Sequence, residues 1–186
     1  MSRNSVFLVV LLLAGCGSGV NSTADAQKAY LGLDASVDKA ITLGFNGFNS
    51  ATSANISPQS TSGTVSGTMT VTGQVDQGTS SNKGMRLNDS LTNYSDDGKI
   101  AYATNASALP SLTINLRNIP NGTLDGSLNG AFTMSGTETG SITLALTFTG
   151  NIQAGPNNTV VRAAGTTHIT GTATSPSGTY NVDVTR

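Results

Sequence analysis

Thr64-Val65-Ser66-Gly67-Thr68-Met69-Thr70-Val71-Thr72-Gly73-Gln74-Val75-Asp76 changes character at every step. Val65, Gly67, Met69, Val71, Gly73 and Val75 form one set; the residues between them are Ser, Thr, Gln and Asp. A period of two is that of a β-strand with one buried and one wet face. The same alternation returns at Leu112-Ile114-Leu116 and at Leu124-Gly126-Leu128-Gly130-Phe132-Met134. It returns again at Ile142-Leu144-Leu146-Phe148-Gly150-Ile152 and at Tyr180-Val182-Val184. Alternation this regular predicts antiparallel strands.

Turn residues separate these runs. Pro120-Asn121-Gly122, Ser95-Asp96-Asp97-Gly98, Glu138-Thr139-Gly140, Pro156-Asn157-Asn158 and Ser175-Pro176-Ser177-Gly178 each suit a hairpin connection. About eight strands in up-and-down order follow. Gly67, Gly73, Gly126, Gly130 and Gly150 share the apolar parity, where they pack little. Glycine inside a strand fits a sheet that bends sharply.

Upstream the period differs. Ala26, Ala29, Tyr30, Leu33, Val37, Ala40, Ile41 and Gly44 recur at steps of three and four, which predicts one helix over 24–45. Ser22 or Thr23 suits the N-cap, and Asp25 suits the positive end of the helix dipole. Gly44 and Asn46-Gly47 suit its end. Residues 46–63, rich in Ser, Asn, Thr and Ala and holding Pro58, read as a loop. The expected fold is α+β, with the N-terminal helix packed on a long, strongly curved antiparallel meander. A closed eight-stranded β-barrel is the alternative.

The first residues carry a different signal. Arg3 precedes the apolar run Val6–Leu13, and Leu13-Ala14-Gly15-Cys16 follows. Eight apolar residues are too few to span a bilayer core, which takes roughly 20 in a helix. They suit the h-region of a secretory signal. Cys16, the only cysteine, stands directly after small residues at the end of that run. Leu13-Ala14-Gly15-Cys16 resembles the lipobox of bacterial lipoproteins.

That resemblance implies cleavage before Cys16, a diacylglyceryl thioether on its sulfur and acylation of the new amino terminus. Two or three chains anchor stably where one is marginal. Gly17, rather than Asp, follows the cysteine, which by the same resemblance favours the outer membrane in a Gram-negative envelope. The expected organisation is a signal peptide over 1–15, a lipidated Cys16 with a tether to residue 23, and one domain over 24–186. A free tether of seven residues would reach roughly 15 Å.

The 186 residues suffice for one core, but only 10% are charged, against roughly 25% in typical domains. A net charge of −1 leaves no electrostatic footprint for nucleic acid. One cysteine excludes a disulfide framework. His168 falls on the polar parity of its strand, without acidic neighbours in sequence. Asp34 and Asp38 share a helix face, as a carboxylate pair or a solvated surface. Asp96-Asp97-Gly98 lacks the alternating acids and closing Glu of a calcium loop and reads as a turn. Thr68/Thr70/Thr72, Thr147/Thr149 and Thr170/Thr172/Thr174 form rows that suit a solvated strand or, if flat, binding of ice or polysaccharide.

No residue is assigned to catalysis, a cofactor or a metal; the assigned site is lipidation at Cys16. The expected function is a lipid-anchored envelope protein with a structural or interaction role and an envelope protein as partner. The alternatives are a carrier holding an apolar ligand in the sheet's concave side and a membrane-spanning β-barrel.

Overall fold

The computed structural model describes residues 18–186. The described residues open with β1 (Ser18–Gly19) and one long helix, α1 (Thr23–Ser50). Next come β2 (Asn55–Ser62), β3 (Ser66–Val75), β4 (Lys83–Ser95), β5 (Ile100–Ala103) and β6 (Ser111–Arg117). β7 (Thr123–Gly136) and β8 (Glu138–Ala154) form the longest hairpin. β9 (Val160–Arg162), β10 (His168–Ser175) and β11 (Gly178–Thr185) complete the chain.

Among the described residues ten strands pair antiparallel in one open sheet, and β1 adds to β8 in parallel. The order is β2-β3-β4, then β5 and β6 end to end, then β7-β8-β10-β11. β6 takes one end of β4, from Lys83 to Asn88, and β5 meets the other end at Tyr94–Tyr102. β8 is flanked in the same way by β1, β10 and β9 in succession.

β2 and β11 end the sheet without pairing to each other, so the barrel alternative is set aside. α1 lies in the opening and contacts β2, β3 and β4 on one side and β9 and β11 on the other. The concave face is therefore filled by the helix. Tyr30, Leu33, Val37 and Ile41 of α1 bury against Met69, Leu87, Leu144 and Phe148 of the sheet in one apolar cluster. Each such side chain contributes about 1.5–3 kcal/mol on leaving water.

Ser22 caps α1, its Oγ accepting the Asp25 N–H at 3.2 Å. The helix runs past Gly44 and Gly47 to Ser50 instead of stopping near residue 45. Those glycines are points of close approach. A Cβ on Gly47 would stand 2.7 Å from Ile56 Cβ, and one on Gly44 would stand 2.9 Å from Met85 Sδ. The stretch expected as a loop over 46–63 also contains β2. Pro58 is tolerated there because β2 is an edge strand, bulged between Ile56 and Gln59. Curvature comes partly from Gly73, whose φ of +128° suits glycine and whose Cβ would stand 2.1 Å from Arg86 O.

Two further expectations are corrected. Val65 is 60% exposed rather than inward, because it sits in the β2–β3 turn and a bulge between Ser66 and Thr68 resets the parity. Residues 18–22 are not a free tether. Ser18 and Gly19 pair with Glu138 and Thr139, Val20 is buried, and Val20 O accepts the Ser175 hydroxyl at 2.6 Å.

Candidate functional site

Cys16 and the lipobox lie outside the described residues. The chain enters the described structure at β1, beside the β7–β8 and β10–β11 turns. This end of the sheet is one continuous rim. Val65 lies against Gly98 in the β4–β5 turn, and Lys99 O accepts the Thr137 N–H at 2.8 Å. Glu138, next along, is buried, and its Oε1 takes the Lys28 ammonium at 2.6 Å. Its Oε2 has no hydrogen-bond partner. A hollow of about 450 Å³ opens on this rim between α1 and the β4–β5 turn, lined by Lys28, Leu31, Asp97 and Lys99 among others.

The acids of this rim are engaged within the protein. Asp96 Oδ1 accepts from Lys39 Nζ at 2.5 Å and from the Thr64 N–H at 2.7 Å, and Oδ2 accepts from the Tyr94 hydroxyl at 2.5 Å. Burial opposes its ionisation, but those bonds outweigh it and hold the carboxyl down at about 2. Asp97 Oδ1 accepts the Lys99 and Ile100 N–H groups and closes the turn. Asp96-Asp97-Gly98 is thus a structural turn whose two carboxylates point to different partners.

Asp34 and Asp38 are brought together, by a cation. Arg162 of β9 donates to Asp34 Oδ1 and Oδ2 at 2.9 and 3.0 Å and to Asp38 Oδ1 and Oδ2, both at 2.8 Å. Tyr30 donates to Asp34 Oδ1 at 2.6 Å, and Arg186 donates to Oδ2 at 3.2 Å. Burial resists ionisation of Asp34, yet the Arg162 bonds and charge prevail and its pKa is lowered. A carboxylate saturated in this way neither gives nor takes a proton near neutrality. The cluster ties the helix to the β9/β11 edge, and the chemistry of a free acid pair is not available to it.

His168 is exposed at the start of β10, and its Nε2 lies 2.7 Å from Asp183 Oδ1 of the neighbouring β11. The Thr rows lie on the convex face, in register with other small polar residues. One row crosses seven strands as Thr72, Asn88, Ser111, Asn129, Ala145, Thr172 and Asn181. The row follows the curve of the sheet around α1 and does not form a flat array.

Two groups escaped the sequence reading. Arg162 lies far from Asp34 in the chain, and nothing in its surroundings announces an ion pair. Asp89 sits at the inward parity of β4 between Leu87 and Leu91, with its Oδ1 buried and without a hydrogen-bond partner. Burial alone pushes its carboxyl up to about 7. Its place between two inward leucines was the available signal. Comparison of the chain with family models, with curated proteins and with solved structures finds no match.

Proposed function

We propose that this chain is a lipid-anchored cell-envelope protein, held to a bilayer by acyl chains on Cys16, with a non-enzymatic structural or interaction role. The observation that carries this reading is Leu13-Ala14-Gly15-Cys16, with the chain's single cysteine ending an apolar run. The docked entry supports it: only Gly17 separates Cys16 from the first strand, so the domain would sit directly on its anchor. By the lipobox resemblance, an outer-membrane location would follow in a Gram-negative cell.

The filled concave face argues against the carrier reading, because α1 occupies the space an apolar ligand would need. The convex face argues against a membrane-spanning barrel. Lipid-facing strands carry an apolar band, whereas this face presents Thr, Ser and Asn. The saturated Asp34/Asp38 pair supports a role without catalysis. Cys16→Ser tests the proposal. The unsubstituted protein should label with radioactive palmitate and float with membranes, and the variant should do neither and keep its signal peptide. Unchanged processing and flotation would overturn the reading.

A further inference from the structure

The two exposed large hydrophobic residues among those described are Leu31, 38% exposed, and Val65, 60% exposed. They come from different elements, α1 and the β2–β3 turn, and both belong to the rim where the chain enters. Val65 packs beside Gly98, and Leu31 faces Asp97 and Lys99 of the same turn across the hollow. Asp96 and Asp97 accept internal hydrogen bonds and Glu138 is paired with Lys28, while Lys99 is exposed on the same turn. Apolar side chains beside the exposed Lys99 ammonium suit the boundary between acyl chains and phosphate headgroups.

The length of chain ahead of the domain says what covers this patch. Cys16 and Ser18 are two peptide units apart, at most about 7 Å even when fully extended. Ser18 itself is fixed to Glu138 on this rim. A thioether on Cys16 would therefore bring the rim, and no other end of the molecule, against the bilayer.

From this we propose that the rim bearing Leu31, Val65 and Lys99 is a membrane-docking surface that holds the domain on the bilayer in one orientation, with the β3–β4 loop farthest from it. The proposal rests on the lipid-anchor reading and goes beyond it, since an anchor on a free tether would leave the domain to tumble.

Tryptophan fluorescence tests it, because the chain contains no Trp and a single introduced residue is an unambiguous reporter. Val65→Trp marks the rim, and Thr79→Trp marks the exposed β3–β4 loop. Each full-chain variant is purified from membranes and reconstituted into vesicles of phosphatidylglycerol and phosphatidylcholine with brominated acyl chains. The expected result is at least twofold quenching and a blue shift for Val65→Trp, with neither for Thr79→Trp. Adding Leu31→Glu and Lys99→Glu to Val65→Trp should abolish the quenching while flotation persists.

Vesicle flotation separates the two failures. Protein that floats with Val65→Trp unquenched, or with both reporters quenched alike, overturns the docking surface and leaves the anchor standing. A rim that is quenched only after a purified envelope protein is removed from it belongs to that protein, and this too overturns the proposal. Protein that does not float overturns the anchor and the docking surface together.

Discussion

Asp38 and Lys39 are neighbours in α1 and hold opposite edges of the sheet. Asp38 Oδ2 takes the Arg162 guanidinium of β9 at 2.8 Å, while Lys39 Nζ reaches Asp96 beyond β4 at 2.5 Å and Ser62 O of β2 at 3.1 Å. An open sheet of this curvature has two edges to protect, and covering an edge blocks its pairing with other chains. Here one helix covers both and is fastened to each by charge. The two fastenings differ in burial. The Arg162 and Asp34 side chains are 6% and 5% exposed, whereas Lys39 is 27% exposed.

Arg162→Met should therefore cost far more than Lys39→Met. Removing Arg162 leaves Asp34 buried with Arg186 as its remaining cation, and breaking a buried pair from one side costs about 3–5 kcal/mol. Lys39→Met should cost about 1 kcal/mol, in the range of partly exposed pairs. Urea midpoints of the two variants check the order. Asp34→Leu combined with Arg162→Met should recover much of the loss, since that pair leaves no lone buried charge between them.

Gly47→Ala should destabilise, although alanine is the better helix former by about 1 kcal/mol. The new methyl would meet Ile56 Cβ at 2.7 Å. Overpacking of this kind costs about 1–3 kcal/mol, so the net effect is a loss. Ile56→Ala shortens the facing side chain, and the double variant should lie above the sum of the singles in a thermal-melt cycle. At Ala35, an exposed position of the same helix, the reverse change to Gly should follow propensity alone and cost about 1 kcal/mol.

The same glycines mark where the sequence could be read and where it could not. The stripe from Ala26 to Gly44 announced α1 through its spacing, and the strands of the β7–β8 hairpin announced themselves by alternation. A glycine that ends a helix and a glycine that lets a strand pass look alike in one dimension, so the last turn of α1 is not legible from its residues. β2 buries Ile56 as its one apolar residue and holds Pro58, so it carried too little period to be seen. The turn at Val65 reads as strand in the sequence because the bulge that resets its parity depends on the pairing of Ser66 with Ser95. The rim was hidden for a related reason, because Leu31, Val65 and Lys99 meet only after β1 docks and the strands align.

Docking of the entry segment rests on Val20. Its side chain is 1% exposed, and its carbonyl holds the β10–β11 turn through Ser175. Val20→Ala should cost about 1–2 kcal/mol by lost burial. Local opening should exceed the global loss, because β1 has two residues and one neighbour. Hydrogen exchange at Gly19 and Thr139 should accelerate more than at Leu144. Equal acceleration at all three sites would mean that the segment unfolds only with the whole domain.

Asp89 should make the protein less stable as the pH rises from acid to neutral. Its folded carboxyl titrates at about 7 because burial penalises the charge, while the unfolded chain releases the proton near pH 4. Below about pH 4 both states hold the proton and the group adds no pH slope. Between about pH 4 and 7 the unfolded state is the one that ionises, so stability falls, by about 4 kcal/mol at most. Asp34 and Asp96 slope the other way. Their folded values are lowered, so their contribution is complete above the ordinary carboxylate range and is lost as the pH falls through it. Stability should therefore peak in mild acid, near pH 4–5. Asp89→Asn removes the titrating group and keeps its size. Its urea midpoint should hold level between pH 5 and pH 8, where the unsubstituted protein declines. Parallel declines in both proteins would show that another group carries the slope.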